Sequence, residues 1–398
     1  MIKRKPILLS ALIVLSLFYG CQEDNAFDEY ARPEWLAGKI YTQISEQEDL
    51  STFAKCVELS GYDTIINVSG SYTAFAPTNQ AFDDWLAQKP GYNSVEDVPV
   101  DELTRLVKYH LVQNPWSKIQ LRKLDVYGWI DTLDVNNDEP RGFKRETLLL
   151  EDDRKFGVES AGRRDEENRE NVRIIDTLNT NWHRRVATDS RKFAPFFYQE
   201  YFDIYDLNPS DYEFYFNRSF SGGNDIYFAD ARVMGEEIFA ENGFIHKIDK
   251  VVEPLPNAYQ ILEEEYSSYF FFHFYDLLNN FLRFNYNQQK TFDQPGAEQG
   301  LEVDSLFDLT FPDLIFDITN EKTQPPSGTY GLPQNVTIRY HHGMIAPTNQ
   351  AFENFINEYI RIPQGWGSLE GTPKFIKRII GNSYLSINPV YPTDFEEG

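Results

Sequence analysis

The chain has 398 residues and a formal net charge of −25, with 62 Asp and Glu against 37 Lys and Arg. The field around so acidic a protein repels phosphate backbones, which argues against nucleic acid as a partner. Phe, Tyr and Trp make up 15% of the chain, which argues against a disordered polypeptide and predicts aromatic-rich cores in two or three domains.

The first 20 residues have the pattern of an export signal. A basic start at residues 3–5 precedes an apolar run over residues 7–18 that is too short to span a membrane. Gly20 stands directly before Cys21, and this pair resembles a bacterial lipobox, in which the cysteine is lipidated and becomes the mature N-terminus. We therefore expect a lipoprotein signal peptide (1–20) and membrane attachment through a lipid on Cys21. A plain secretory signal is the alternative.

Residues 21–34 follow as a polar stretch whose composition suits a flexible, lipidated tether. The acidic residues Glu23 and Asp24, close behind the cysteine, resemble the surface-export signal of gut Gram-negative lipoproteins. They predict an outer-membrane location, lipid-anchored and facing the cell surface. A solvated linker without a targeting role is the alternative.

One seven-residue sequence, APTNQAF, occurs twice without change, at residues 76–82 and 346–352. In each copy an apolar stretch precedes a proline, and the threonine after it is a good N-cap. In the first copy we expect a strand through Phe75 and a helix that begins at about Asn79. Because so long an identity is improbable by chance, the chain is predicted to hold two copies of one module.

Two further signatures follow in the first copy, and with APTNQAF they resemble the fasciclin-type adhesion module. One is Tyr109-His110 between aliphatic residues, and the other is N-G-F-I-H-K-I-D-K-V-V-E-P at residues 242–254. The resemblance implies an α+β fold, a fasciclin-like β-sandwich with a wedge of helices, present here as two modules in tandem. It also implies adhesion rather than catalysis.

The first module is expected to run from residue 35 to residue 254 and to carry a long insertion at about residues 130–224. The insertion holds a charge-dense stretch (138–170), of a kind that usually forms solvated loops, and an aromatic stretch (193–216). The aromatic stretch has two interpretations, core packing or a sugar-stacking surface. Large aromatic side chains usually bury area, which favours the core.

The second module, residues 257–398, departs from the pattern. An alignment on apolar residues alone places Arg378-Ile379 at the position of Tyr109-His110, and no counterpart of the last signature follows. We therefore expect this module to be C-terminally incomplete, with sheet edges left unpaired.

Enzymatic chemistry finds no support among the motifs. The six histidines lack a recognised metal spacing, and the adjacent pair His341-His342 is expected to point to opposite faces of a strand. Phosphate-binding and nucleophile-elbow motifs are absent from the sequence. His110 and His246 belong to the family signatures and are expected to be buried structural residues. We predict no catalytic residues, no cofactor and no metal.

Two residue pairs are candidates for partner binding by resemblance alone. In adhesive members of the family, the Tyr-His pair and an Asp-Ile pair before the last signature are associated with receptor binding. Here these positions hold Tyr109 and His110, and Glu237 and Ile238. Packing residues near the surface are the alternative interpretation.

A three-residue pattern, Asp-Ser/Thr-aliphatic, resembles the O-glycosylation acceptor of some gut Gram-negative bacteria. Its occurrences begin at Asp63, Asp131, Asp176 and Asp304. In an Asp-rich chain such a short pattern also arises by chance.

These features together predict a non-enzymatic surface lipoprotein for adhesion or for capture of a glycan or host-surface ligand. Similar modular lipoproteins accompany SusC/SusD-like outer-membrane uptake systems, so an accessory role in such a system is a specific version. The alternative is a structural or docking subunit of an outer-membrane complex without a ligand of its own. A glycan binder should expose aromatic side chains in a row, whereas a docking subunit should expose an apolar patch rimmed by polar residues.

Overall fold

A computed structural model provides the structure of the chain, and it describes most of the residues beyond the tether. The described residues are 38–123, 144–150, 173–176, 181–185, 191–263, 270–286, 288, 292, 306–318, 338–339, 342–361 and 365–396. The predicted signal peptide (1–20), the lipidation site Cys21 and the tether (21–34) lie outside them, as does most of the charge-dense stretch. Contacts divide the chain into Met1–Gly38 and one larger compact unit, Lys39–Gly398. The description below concerns the larger unit.

The part of the chain up to residue 254 combines helices with strands. Its helices are α1 (Ile40–Ser45), α2 (Ser51–Leu59), α3 (Tyr62–Val68), α4 (Asn79–Leu86), α5 (Val100–His110), α6 (Lys118–Lys123), α7 (Gln199–Tyr205) and α8 (Pro209–Phe216). Its strands are β1 (Tyr72–Pro77), β2 (Leu111–Gln113), β3 (Lys144–Leu150), β4 (Arg173–Asp176), β5 (Asn181–Arg185), β6 (Arg191–Tyr198), β7 (Ile226–Phe228), β8 (Ala231–Ala240) and β9 (Gly243–Ile248). The predicted α+β class is confirmed.

The part after residue 254 has fewer and shorter described strands. Its helices are α9 (Ala258–Glu263), α10 (Phe272–Asn279), α11 (Asn349–Phe355) and α12 (Lys374–Ser383). Its strands are β10 (Arg283–Tyr286), β11 (Leu306–Thr310), β12 (Ile338–Arg339), β13 (Gly343–Met344) and β14 (Leu385–Ser386). A π-helix, Ile356–Arg361, continues α11, and a 3₁₀ turn, Pro392–Phe395, is the last described element.

The main sheet has the strand order β12-β3-β2-β1-β9-β8-β7-β6. Because β3 also pairs with β6, seven of these strands form a closed ring in the order β3-β2-β1-β9-β8-β7-β6. β1 and β9 run parallel, with Tyr72 opposite Gly243 and Pro77 opposite Ile248, and the other neighbours are antiparallel.

Alternation along β1 separates two cores, as period-two side-chain geometry requires. Phe75 belongs to the cluster inside the ring, where its ring stacks on Phe228 with centroids 4.7 Å apart. Ala74 and Ala76 belong to a second cluster, which they share with side chains of helices α1 to α5. The helices therefore pack on the outside of the closed sheet, which gives the expected helical wedge.

The aromatic stretch at residues 193–216 contributes to the inner core. Phe193 to Tyr198 form most of β6, and all six side chains of this run are buried. Tyr201, Phe202 and Tyr212 follow as buried residues of the same cluster, whereas Phe214 and Tyr215 are exposed. The structure thus favours core packing over a sugar-stacking row for most of this stretch.

The two parts of the chain share sheets. β12 pairs with β3 as an extra strand beside the closed ring, and Ile338 lies opposite Arg145. A separate four-stranded sheet has the order β10-β11-β5-β4, so it combines strands from before and after residue 254. Pairing between strands of the two predicted modules therefore joins them within one compact unit.

Candidate functional site

The predicted binding pair Tyr109-His110 lies in the core. Both side chains are fully buried at the end of α5. His110 lies 2.8 Å through Nδ1 from the Leu106 carbonyl, and its Nε2 accepts the Val252 N–H at 3.3 Å. Burial lowers the pKa of His110 to about 4, so the imidazole is neutral. Neither side chain offers a surface to a ligand in this structure, which favours the alternative interpretation of packing residues.

The second predicted pair, Glu237 and Ile238, lies on β8 beside an irregularity in its pairing with β9. The Glu237 carboxylate accepts the Lys118 backbone N–H at 2.7 Å, at the start of α6. Ile238 is partly buried and packs against the helical core. The carboxylate is thus engaged within the fold, and Tyr109 lies inside the ring, so the two pairs do not form one surface.

Two further histidines, His246 and His342, also have structural environments. His246 is fully buried, lies 2.8 Å through Nε2 from the Trp116 carbonyl, and has a pKa lowered by burial to about 4. His342 stacks on Phe316 at 4.7 Å, whereas His341 lies outside the described residues. Within the described ranges no group of three or more His, Cys, Asp or Glu could hold a metal ion.

The repeated sequence forms the same local structure twice, which confirms the predicted strand-to-helix turn. Thr78 and Thr348 are N-caps, and each hydroxyl accepts an N–H three residues on at 3.3 Å, from Ala81 and Ala351. The asparagine after each threonine accepts an N–H from an earlier helix of its own copy, which is α2 in the first copy and α10 in the second. Asn79 Oδ1 accepts from Thr52 at 2.9 Å, and Asn349 Oδ1 accepts from His273 at 3.0 Å. The motif is a folding device in both places.

The correspondence between the copies extends through the next helix, but in a different register from the one predicted. Pro99 and Pro373 stand directly before α5 and α12, and Leu111 and Leu385 begin the strands that follow. Leu111 lies opposite Ala74, and Leu385 lies opposite Met344, the equivalent residue of the second copy.

This register places Tyr384 at the position of His110. Each ring contacts a buried phenylalanine of the corresponding earlier helix. His110 contacts Phe53 of α2 with ring centroids 6.0 Å apart, and Tyr384 contacts Phe274 of α10 with centroids 5.1 Å apart. The alignment with Arg378-Ile379 was wrong by five residues, and the second copy holds Ser383-Tyr384 where the first holds Tyr109-His110.

The same seven residues differ in burial between the copies. In the first copy Ala76, Pro77 and Ala81 are buried, and Ala76 and Ala81 share a cluster with Ile245 of β9 and with Val251. In the second copy Ala346 and Pro347 are half-buried and Ala351 is exposed. Among the described strands β13 pairs only with β14, so nothing in this part of the structure corresponds to β9.

A cavity of about 420 Å³ lies at the start of this uncovered strand. Its lining comes from β13 and α9 on one side and from β6 and α8 on the other. The aromatic and aliphatic lining includes Phe197, Tyr215, Ile261, Phe316, Met344 and Tyr391. The polar lining residues are Lys144, Lys192, Asn257, Asp317 and His342.

The second copy also carries an apolar outer face on α12. Phe375 and Ile379 are 59% and 61% exposed and lie one helical turn apart, and each directly follows an exposed basic residue, Lys374 or Arg378. The corresponding positions of α5 hold Asp101 and Arg105. The outer face is therefore charged in the first copy and apolar with a basic rim in the second.

The family model of the fasciclin domain matches residues 48–161. This chain contains a fasciclin domain. The match begins just before α2 and includes β1, α4, α5 and β2, whereas β6 to β9 of the closed sheet lie beyond it. A fasciclin domain indicates an adhesion-like or binding module.

Comparison with solved structures finds a domain pair from the insect cell adhesion molecule fasciclin I, at 12% sequence identity and a TM-score of 0.20. The alignment covers 65% of this chain and 64% of the insect chain, so this chain spans just under two thirds of that length. No curated protein matches the chain. In the described part of the chain, no helix has both the length and the apolar character to cross a membrane.

Proposed function

We propose that the protein is a non-catalytic adhesion protein that binds a protein partner through its second repeat, residues 257–398. The fasciclin domain supports the adhesion class. Because Tyr109 and His110 of the first repeat are fully buried, they support no partner contact there. The observation that carries the proposal is the apolar outer face of α12, because two large exposed apolar side chains adjoin there within a basic rim, an arrangement typical of interaction sites.

The chemistry of this face indicates the kind of partner. Phe375 and Ile379 supply apolar area, and Lys374 and Arg378 supply positive charge in a chain whose net charge is −25. Aromatic and basic side chains are typical of interface centres and their rims. An acidic protein surface with a small apolar centre is the complementary partner.

The location belongs to the same proposal. A lipid on Cys21 and a polar tether would hold the folded unit at the outer face of the outer membrane. From there α12 would reach a protein on a neighbouring cell or in the same membrane, and SusC/SusD-like transporters are one class of same-membrane partner. A partner in the same membrane would correspond to the alternative of a docking subunit in an outer-membrane complex.

The experiment displays the full chain on Gram-negative cells and measures cell-to-cell adhesion and adhesion to protein-coated surfaces. The variant Phe375→Asp with Ile379→Arg gives α12 the outer residues of α5, and we expect its adhesion to fall at least tenfold. Val100→Asp with Ile119→Arg removes two similarly exposed apolar residues from the first repeat and should leave adhesion unchanged. Equal adhesion by all three proteins at equal surface density would contradict the proposal.

A second candidate function is capture of a glycan in the cavity between the repeats. The rings of Phe197, Tyr215 and Tyr391 supply apolar walls, and Asn257 and Asp317 supply polar groups, a combination typical of small-ligand sites. A glycan array with the soluble protein and a Tyr215→Ala variant tests this candidate. Binding that the variant loses would support capture, and a folded protein that binds no glycan would exclude it.

A further inference from the structure

We propose that the uncovered edge of β13 accepts an extended strand from a partner polypeptide, added parallel to β13 and similar in chemistry to Gly243–Val252. The proposal deepens the adhesion function and rests on it, because it names the form that a partner segment takes. β-Strand addition of this kind uses main-chain hydrogen bonds for affinity and alternate side-chain pockets for specificity.

The first copy shows what a strand on this edge does. β9 runs parallel to β1 over six residue pairs, and flanking hydrogen bonds join Tyr72 N–H to the Asn242 carbonyl and Thr78 N–H to the Ile248 carbonyl. The chain then continues through Val251 and Val252, which are both buried. This segment therefore covers the edge of β1 and the start of α4.

The second copy presents the same edge without such a neighbour among the described residues. The Ile345 N–H donates to the Tyr384 carbonyl at 2.9 Å, on the β14 side. Since bonding directions alternate along a strand, the N–H and C=O groups of Met344 and Ala346 point to the opposite side. In the first copy the equivalent residues, Ala74 and Ala76, lie opposite Ile245 and Lys247 of β9.

Side-chain exposure at this edge supports the same conclusion. Ile345 is 48% exposed, whereas its equivalent Phe75 is completely buried inside the closed ring. An unpaired strand with an exposed aliphatic residue beside it is a template for pairing with another chain. Among the described residues no strand pairs with this edge of the second copy, whose Met344 and Ala346 are half-buried.

The cavity lies where the first residues of an added strand would enter. In the first copy α1 borders the start of β9, because the Ile40 N–H donates to Asn242 Oδ1 at 3.0 Å. In the second copy α9 holds the position before α10 that α1 holds before α2, and its Ala258 and Ile261 line the cavity together with Met344. A strand that begins in the cavity would run outward along Met344 and Ala346.

Residues 243–252 of the first copy also indicate which sequence a partner segment would need. Gly243 has φ +151°, and a Cβ there would lie 1.7 Å from the Tyr72 carbonyl oxygen, so only glycine fits the first position. Ile245 and Ile248 are buried, and the following Val251 and Val252 supply two adjacent aliphatic side chains. The partner segment is thus an extended stretch with a leading glycine, spaced aliphatic residues and an aliphatic end.

Register-specific disulfide formation tests the proposal. The probe is a synthetic peptide with the sequence of residues 242–253 and cysteine in place of Lys247, and the protein is the chain without its export signal, carrying Cys21→Ser and Ala346→Cys. The native Cys56 does not interfere, because burial raises its pKa to about 12. A control peptide has cysteine at the His246 position, whose side chain points to the opposite face of a strand. Asn354→Cys, on the exposed side of α11, is the control protein.

We expect the first peptide to cross-link to the Ala346→Cys protein at least tenfold faster than the control peptide does, and faster than it cross-links to the Asn354→Cys protein. Slow labelling of the Ala346→Cys thiol by a small thiol reagent, relative to the Asn354→Cys thiol, would mean that the chain covers its own edge and would overturn the proposal. Dimers of the chain with Ala346 intact, abolished by Ala346→Pro, would identify a second copy as the occupant and would also overturn it. Loss of adhesion in the α12 variant without any cross-linking would leave the adhesion function standing and refute only the strand.

Discussion

Two histidines, His110 and His246, are neutral, buried hydrogen-bonding groups. His110 joins α5 to the segment after β9, and His246 joins β9 to the loop before α6. Both rings contact the aromatic core, His110 beside Phe228 at 5.6 Å and His246 beside Phe75 at 5.1 Å. Each neutral ring makes hydrogen bonds in a site that excludes water, His110 through both ring nitrogens and His246 through Nε2.

This burial predicts a pH dependence of stability. The pKa of each histidine is lowered to about 4 in the fold and returns to about 6.5 on unfolding, so the unfolded chain binds more protons between these values. Their contribution is complete above about pH 6.5 and falls on acidification, by about 3 kcal/mol per histidine at pH 4. We expect His246→Gln to reduce the slope of unfolding free energy against pH in this window by up to about 1.4 kcal/mol per pH unit. An unchanged slope in denaturant titrations would contradict this assignment.

The asparagine of the repeated sequence gives a matched pair of substitutions. Asn79 makes three side-chain hydrogen bonds, to Thr52, Glu48 and Ser51, whereas Asn349 makes one among the described residues, to His273. Asn79→Ala should therefore cost about 2 to 3 kcal/mol of unfolding free energy, and Asn349→Ala about 1 kcal/mol. Denaturant unfolding of both variants measures the difference. Equal costs would show that the extra bonds of Asn79 add no stability.

At the scale of elements, sequence reasoning located the strand-to-helix turn but misplaced the helix that follows. The error was five residues: apolar residues recur every three to four positions along both helices, so apolar spacing alone did not fix the register of α12 against α5. Pro99 and Pro373, directly before the two helices, were the signal that fixes the alignment. The proline N-terminal to a helix is a position-specific feature, whereas the apolar pattern is not.

The segment after β14 crosses to the first part of the chain. Thr393 donates its N–H and hydroxyl to the buried Asp211 carboxylate, at 3.0 and 2.5 Å. Two buried tyrosine hydroxyls, Tyr201 and Tyr391, lie 2.5 Å apart beside it. These contacts fix residues 390–395 against α7 and α8.

Removal of one of these bonds should loosen the segment locally. Thr393→Val keeps the shape and the N–H but loses the hydroxyl bond to a carboxylate, at a cost of about 1.5 to 3 kcal/mol. We expect faster proteolytic cleavage near residues 387–396 in this variant. Thr372→Val, which removes a hydroxyl bond to Ser368 within the second repeat, is the control and should not change cleavage there. The same cleavage rate in both variants would argue against this docking.

At the scale of the molecule, the pairings that sequence reasoning did not find are the long-range ones. β12 joins the first repeat's sheet through β3, and β11 runs parallel to β5. Local hydrophobic patterns predict where strands and helices form, but they do not predict which strands far apart in the chain pair with each other. The aromatic stretch was assigned to the core because large rings bury area, and that general tendency held for β6.

The two repeats differ in how far the described structure covers their copies of the repeated sequence. The first has a closed sheet that covers its copy of the repeated sequence, and the second leaves its copy partly uncovered. The uncovered edge and the apolar face of α12 both belong to the second repeat. Partner contact is therefore expected there, and the first repeat has a supporting role.

Hydrogen exchange of the backbone amides in the soluble protein tests this asymmetry most directly. The comparison is between Ala74 and Ala76 in the first copy and Met344 and Ala346 in the second, within one sample. We predict strong protection for the first pair and exchange at least a hundredfold faster for the second. Equal protection of both pairs would contradict the central claim that the second repeat offers an open edge.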